Sequence, residues 1–210
     1  VLKNLAFVGL GVIAMKFTKY LVVICLSPVL STLSQNIEEK LTGNKYPFSF
    51  KLLISDLKRG VKIAVRNMVW ETLFLLIIII TVNFFDGDTS DVILFSLPLM
   101  FGFYYYGFSF LDYINERRRL NIEQSVYFVK RHRGLAIGVG AIYSLMFLAP
   151  LDFKAMLDFS DISQEPLSTI GSIIGHWLGW MVITMAPILA ITSATLSMHE
   201  VVDLGTNEWA

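Results

Sequence analysis

Between Met68 and Phe85 the chain is almost unbroken in apolar residues, with Leu73-Phe74-Leu75-Leu76-Ile77-Ile78-Ile79-Ile80 at its centre. A helix needs roughly 20 mainly apolar residues to cross a hydrocarbon core of about 30 Å, and this run comes close to that length. Four more apolar stretches accompany it. Leu5 to Leu33 is interrupted by Lys16, Thr18 and Lys19; Val92 to Leu111 is aromatic-rich and carries Pro98; Gly134 to Leu151 is short for a span; Ile170 to Met198 contains His176 and Pro187. Lipid leaves no partner for unpaired backbone groups, and none of these stretches alternates as a strand would, so helices are the expected form. Composition agrees, at 55% hydrophobic and 16% charged over 210 residues, against about 45–50% and about 25% in soluble domains. The expectation is an all-α integral membrane protein of one domain, residues 1–210, with five crossings. A start at Val1, already inside a hydrophobic element, leads us to expect further sequence upstream.

The net charge of zero conceals a strong segregation by sign. Residues 36–66 hold Lys40, Lys45, Lys51, Lys58, Arg59, Lys62 and Arg66 against Glu38, Glu39 and Asp56. The turn 85–91 holds Asp86, Asp88 and Asp91 and no base, whereas 114–133 carries Arg117, Arg118, Arg119, Lys130, Arg131 and Arg133 against Glu116 and Glu123. The connector 152–168 is acidic again. Positive charge marks the cytoplasmic side, which places 36–66 and 114–133 in the cytoplasm. Residues 47–66 read as an amphipathic helix that lies among the headgroups or docks on the bundle, and then feeds the second span.

Several chemistries are excluded or unsupported. Cys25 is the sole cysteine, so an internal disulfide or a thiolate cluster is impossible. His132, His176 and His199 show no metal-ligand spacing, and no Walker loop, His-Glu-x-x-His or Gly-x-Ser-x-Gly occurs. No enzyme activity, metal or cofactor is expected. A short basic loop beside a membrane is a poor match to nucleic-acid binding.

Five pieces of the chain resemble, in order, the CysZ-type sulfate permease family, which is grouped with the eukaryotic etoposide-induced membrane proteins. They are the proline-containing helix end from Ser27-Pro28 to Leu41-Thr42-Gly43; Asp56, Arg59 and Gly60 in the connector; Phe110-Leu111-Asp112-Tyr113 with Glu116-Arg117-Arg118-Arg119 and His132-Arg133-Gly134; Ala149-Pro150-Leu151; and Ala186-Pro187 leading to Ser193-Ala194-Thr195-Leu196. The resemblance implies a multi-pass protein of the bacterial inner membrane that passes sulfate inward. It also implies a fold of long spanning helices, an amphipathic connector helix and helical hairpins that enter the bilayer part-way, which the shortness of Gly134 to Leu151 suits. Three departures stand out. Gln35 occupies the place of the family's acid, residues 152–185 form an insertion, and the arginines associated with the family's anion site fall upstream of Val1.

The candidate site residues each admit two readings. Lys16 and Lys19 lie one turn apart on one side of a helix. They either form an anion-attracting wall or snorkel from a helix that projects beyond the bilayer. Arg117, Arg118, Arg119, Arg131 and Arg133 have the fork geometry that gathers an oxyanion; the plainer role is topogenesis and headgroup contact. Asp112 is expected to pair with one of these arginines. Pro28, Ser31, Gln35, Pro98, Pro150 and Pro187 mark helix breaks along a pathway or simple kinks. Gly171, Gly175 and Gly179 form a smooth stripe for a close helix–helix contact, with a partner or within the chain. Two functions follow. One is an oligomeric, gradient-driven permease or channel for sulfate or a related oxyanion; the other is a non-transporting scaffold or accessory subunit of a membrane complex. Membrane lipid is a partner in both.

Overall fold

A computed structural model describes residues 17–46, 49–146, 165–202 and 204. Among these residues there are eight helices and no strand. They are α1 (Phe17–Cys25), α2 (Ser27–Thr42), α3 (Phe50–Val82), α4 (Gly87–Arg117), α5 (Ile122–Arg131), α6 (Arg133–Leu145), α7 (Pro166–Thr184) and α8 (Ala186–Val202). Three stretches are long and apolar enough to cross a membrane, Leu57–Val82, Gly87–Arg117 and Pro166–Val202, and the bent pair α1–α2 makes a fourth if taken as one span. Among the described residues that makes three or four candidate spans, where the sequence suggested five. α6 has 13 residues, about 20 Å of helix, and falls short of a core of about 30 Å.

The first membrane segment differs from the long helix expected through Leu33. α1 and α2 meet at 60°, with Leu26 at the break and Pro28 in the first turn of α2. Proline is tolerated there, because its missing N–H would have no intrahelical partner anyway. Gly43 then closes α2 at φ 78°, donating its N–H to the Glu39 carbonyl at 2.8 Å. The amphipathic connector is no separate element either. It continues into the span as the 33-residue α3, about 50 Å long. The apolar stretch Ile170 to Met198 is divided at Met185, next to Pro187. Pro98, by contrast, lies inside α4, which continues through it.

α3 and α4 form an antiparallel hairpin. Ser90 Oγ donates to the Val82 carbonyl at 2.9 Å across the turn, and Phe74 stacks on Phe101 at 4.5 Å. The acidic turn thus lies at one end of the hairpin, and the basic segments lie at the other. α4 also crosses α6 with backbone touching backbone. A Cβ on Gly107 would lie 1.8 Å from the Ala136 carbonyl oxygen, and one on Gly140 would lie 1.7 Å from that of Phe103. Tyr143 packs edge-on against Tyr106 and Phe110 beside this crossing. α8 closes the core with Ala186, Ala190 and Ala194, all fully buried and four apart, the spacing at which small residues let helices approach. Outward faces are apolar, with Ile77, Ile80, Phe84 and Phe95 all exposed, as a lipid-facing surface requires.

Gly107→Ala and Gly140→Ala should each destabilise the protein by about 3 kcal/mol or more, the upper end for an overpacked core, because the obstructing atoms are backbone. Gly138→Ala on the same helix, where a Cβ meets nothing within 4 Å, should leave stability nearly unchanged. Thermal unfolding in detergent separates the three.

Candidate functional site

The helix ends converge where the basic segments lie. α4 stops in a Schellman turn: Arg119 adopts φ 57°, its N–H donates to Glu116 O at 2.8 Å, and the Leu120 N–H donates to Asn115 O at 3.0 Å. α5 starts at once, its first turn closed by a reciprocal capping box between Asn121 and Gln124. These two devices fold α5 back onto the end of α4, and His132 then joins α5 directly to α6.

Two ion pairs are built into this end. Arg117 donates from Nε and Nη2 to Glu38 Oε2 at 3.0 and 2.8 Å, with both side chains buried. Nη2 also donates to Ser34 Oγ at 2.7 Å, and Ser34 is joined to Thr195 of α8 at 2.6 Å. The Tyr46 hydroxyl donates to Glu38 Oε1. Burial in the first place, and that hydrogen bond in the second, pushes the Tyr46 phenol up to about 12. In the second pair Arg59 grips Asp112 through a two-pronged fork, Nε and Nη2 each at 2.9 Å, and donates to the Leu120 carbonyl at 2.5 Å. Ser125 of α5 donates to Asp112 Oδ1 at 2.5 Å and accepts from Asn115 at 3.0 Å. The first pair ties α2 to α4 and α8; the second ties α3, α4 and α5 together.

A polar column continues inward from the second pair along the α3–α4 seam. Asn67 Nδ2 donates to Tyr105 O at 3.1 Å and to Ser109 Oγ at 3.2 Å. Arg66 donates to Asn67 Oδ1 at 3.1 Å. One turn deeper, Glu71 is 2% exposed, and Tyr20 of α1 donates to its Oε2 at 3.1 Å. Arg59, Asn67 and Glu71 are separated by eight and then four residues, so they follow one slowly turning stripe of α3 over about 18 Å. Ionisable groups at such depth are costly and mark pairs or pathways.

The candidate residues named from sequence are spread across this framework. Arg117 is committed to Glu38, and Asp112 pairs with Arg59 rather than with any arginine of the 114–133 loop, because α3 runs unbroken past the end of α4. Arg118 lies with its guanidinium 5.3 Å from the Phe128 ring centroid. Arg119, Lys130, Arg131 and Arg133 are exposed. Lys19 places its ammonium 5.4 Å over the Tyr106 ring. Pro28 is at the α1–α2 break, with Ser31 buried and Gln35 donating to Ser31 Oγ at 3.4 Å. Gly171 and Gly175 of α7 face open space, and α7 packs chiefly against α8. Lys16, Pro150 and residues 152–164 of the insertion lie outside the described residues. Sequence reasoning passed over Glu38, Asn67, Glu71 and the alanine stripe of α8. Glu71 inside the run Met68 to Phe85 was a readable signal, as an acid in a span.

Residues 1–152 match the family described as sulfate transporter CysZ/etoposide-induced protein 2.4. The chain belongs to that family. A search of the curated proteins returns no match. As a CysZ/EI24 family member it is a multi-pass, sulfate-transporter-like membrane protein, and the match spans everything from α1 to α6, including both ion pairs apart from the Thr195 contact.

Arg117→Gln strands Glu38 among buried groups, and should cost about 3–5 kcal/mol of stability. The double variant Glu38→Gln/Arg117→Gln should recover much of that loss, as thermal denaturation would report. The Tyr46 phenol holds its proton more tightly when folded than in the unfolded chain, where its pKa is about 10. Its contribution is therefore whole below pH about 10 and is lost as pH rises through about 12. Tyr46→Phe should flatten the stability profile across that window.

Proposed function

We propose that the protein is a permease or channel for sulfate or a related oxyanion in the bacterial inner membrane, driven by the substrate gradient, with 36–66 and 114–133 facing the cytoplasm. The observation that carries this reading is the CysZ/EI24 family match over residues 1–152. The geometry of the basic end supports it. Glu38 and Asp112 are engaged by Arg117 and Arg59, so these two acids do not screen the exposed Arg119, Lys130, Arg131 and Arg133. Those cations create a positive field at the opening of the bundle, and guanidinium groups suit a tetrahedral oxyanion. In this reading they concentrate the anion and are not its tight site.

A second reading, a non-transporting membrane subunit, draws on α7. This helix lies beyond the family match, exposes Leu167, Ile174, Leu178 and Met181, and turns Gly171 and Gly175 to open space. An oligomeric contact or a partner helix would use that surface.

Sulfate uptake into proteoliposomes, with selenate and phosphate as competitors, decides between them. Saturable uptake blocked by selenate is expected; absence of flux from well-folded protein would leave the subunit reading in its place. The double variant Arg131→Gln/Arg133→Gln should lower the initial rate severalfold at low ionic strength. The difference should shrink near 0.1 M salt, where the Debye length is about 10 Å.

A further inference from the structure

Arg66 stands outside the ion-pair framework. It falls within the apolar stretch Leu57–Val82, yet among the described residues no carboxylate pairs with it. Its Nη1 donates to the adjoining Asn67 Oδ1 at 3.1 Å, the one protein partner its donors have among the described residues. Its guanidinium lies 5.4 Å from the Phe108 ring centroid of α4. The two acids nearest along α3 and α4 are engaged elsewhere. Asp112 is gripped by Arg59. Glu71 is five residues on from Arg66, about 140° round the helix axis, and accepts from Tyr20. An ionisable group in a span without a partner is costly and marks a binding site by default.

The glycine crossing brings a second cation and a hydroxyl to the same level. Gly107 of α4 lies against Ala136 of α6. Phe108, next to Gly107, is the ring under Arg66, and Arg133 is three residues before Ala136. Tyr104, half-buried and one turn before Phe108, is within electrostatic reach of both arginines. Arg133 is exposed at the rim, its Nε on the Lys130 carbonyl at 3.1 Å. Arg66 is 16 residues before Val82 at the far end of α3, about 24 Å along the helix. In a core of about 30 Å that puts it close to the boundary where the basic segments lie. Deeper on the same stripe the surface turns aromatic. Trp70, 45% exposed, has its ring 6.3 Å from that of Phe74, which stacks on Phe101 at 4.5 Å. Uncompensated cations at headgroup depth above an exposed aromatic track are complementary to an amphiphile with a negative head. A free oxyanion would make no use of the track.

We propose that Arg66 and Tyr104, with Arg133 at the rim, bind the phosphate of an anionic phospholipid in the leaflet beside the basic segments, while an acyl chain of that lipid lies along Trp70 and Phe74. The Nε–Nη2 edge of Arg66 offers two parallel N–H groups to the phosphate oxygens. The Tyr104 hydroxyl donates a third hydrogen bond, and Arg133 adds charge from α6. The bound lipid thereby bridges α3, α4 and α6. Free phosphate or sulfate presents the same tetrahedral oxygens, so head and chain are tested separately.

Full-length protein in a mild detergent is titrated with dioleoylphosphatidylglycerol, and bound lipid is counted by native mass spectrometry. Phosphatidylcholine with the same chains, inorganic phosphate and sulfate are run in parallel. Lipid retention is read rather than flux, so the outcome is independent of the permease reading. Phosphatidylglycerol should bind about tenfold more tightly than phosphatidylcholine, and neither inorganic anion should displace it. Arg66→Gln should weaken its binding by about tenfold, the effect of losing a charge-assisted fork, and Trp70→Ala should weaken it severalfold. Arg131→Gln removes an equal charge from an exposed position outside the site and should change affinity by less than about twofold. Tyr104→Phe should also weaken binding severalfold, and it carries the comparison if Arg66→Gln fails to fold. Unchanged affinity in Arg66→Gln, or in Tyr104→Phe where that variant stands in, overturns the proposal. Equal losses in Arg66→Gln and Arg131→Gln overturn it too, because attraction is then general to the basic end. Displacement of the lipid by phosphate or sulfate likewise overturns it, in favour of a free oxyanion as the occupant.

Discussion

Two helices can bring their backbones into contact only where neither carries a side chain, and α4 meets α6 at such a point. Gly107 and Gly140 each lie against the other helix's main chain, and the rest of the bundle is arranged around this crossing. It sets the depth at which Tyr143 reaches Tyr106 and Phe110, and it leaves α8 the groove that its alanines fill. It also holds α6 inside the bundle despite its shortness. A helix of about 20 Å has too little apolar length to be fixed by the bilayer, so contact with α4 must fix it.

Charge is handled by a division of labour. Near a membrane an unpaired buried ion is prohibitively costly, whereas a pair with its remaining lone pairs satisfied is tolerable. Glu38 and Asp112 meet that condition, each accepting from an arginine and from a hydroxyl, Tyr46 in one case and Ser125 in the other. Two arginines are thereby absorbed into the architecture, and they and their hydrogen-bond partners stitch five helices together. The cations that remain at the surface are at loop and helix-end positions, where they shape the field outside the protein and leave its packing alone. Mutations in the first group therefore probe stability, and on the proposed permease reading those in the second probe anion attraction.

Much of this was legible in the chain. Apolar length gave the helical membrane class, the charge alternation gave the two ends of the α3–α4 hairpin, and the order of short motifs gave the family. Helix boundaries fall beside Pro28 and Pro187, whereas α4 runs on through Pro98. The ion pairs were not legible, because pairing depends on which helix face meets which, and that depends on the glycine crossing. Asp112 is nearer in sequence to Arg117 than to Arg59, yet five residues along a helix carry Arg117 more than a full turn beyond Asp112, while α3 brings Arg59 directly alongside. Glu71 could have been found from composition alone; Tyr20 as its partner could not, since that contact spans 51 positions.

The unbroken length of α3 has a mechanical consequence. A membrane helix joined to its connector by a turn would isolate events in the headgroup layer from events in the hydrocarbon. Here one rod carries Phe50 at its first residue and Glu71 two-thirds of the way along, and a stiff helix transmits rotation about its axis with little loss. Any rotation of the basic half of α3 about its axis would carry the polar face of its buried half with it. The connector and the buried polar column are thus parts of one mechanical element.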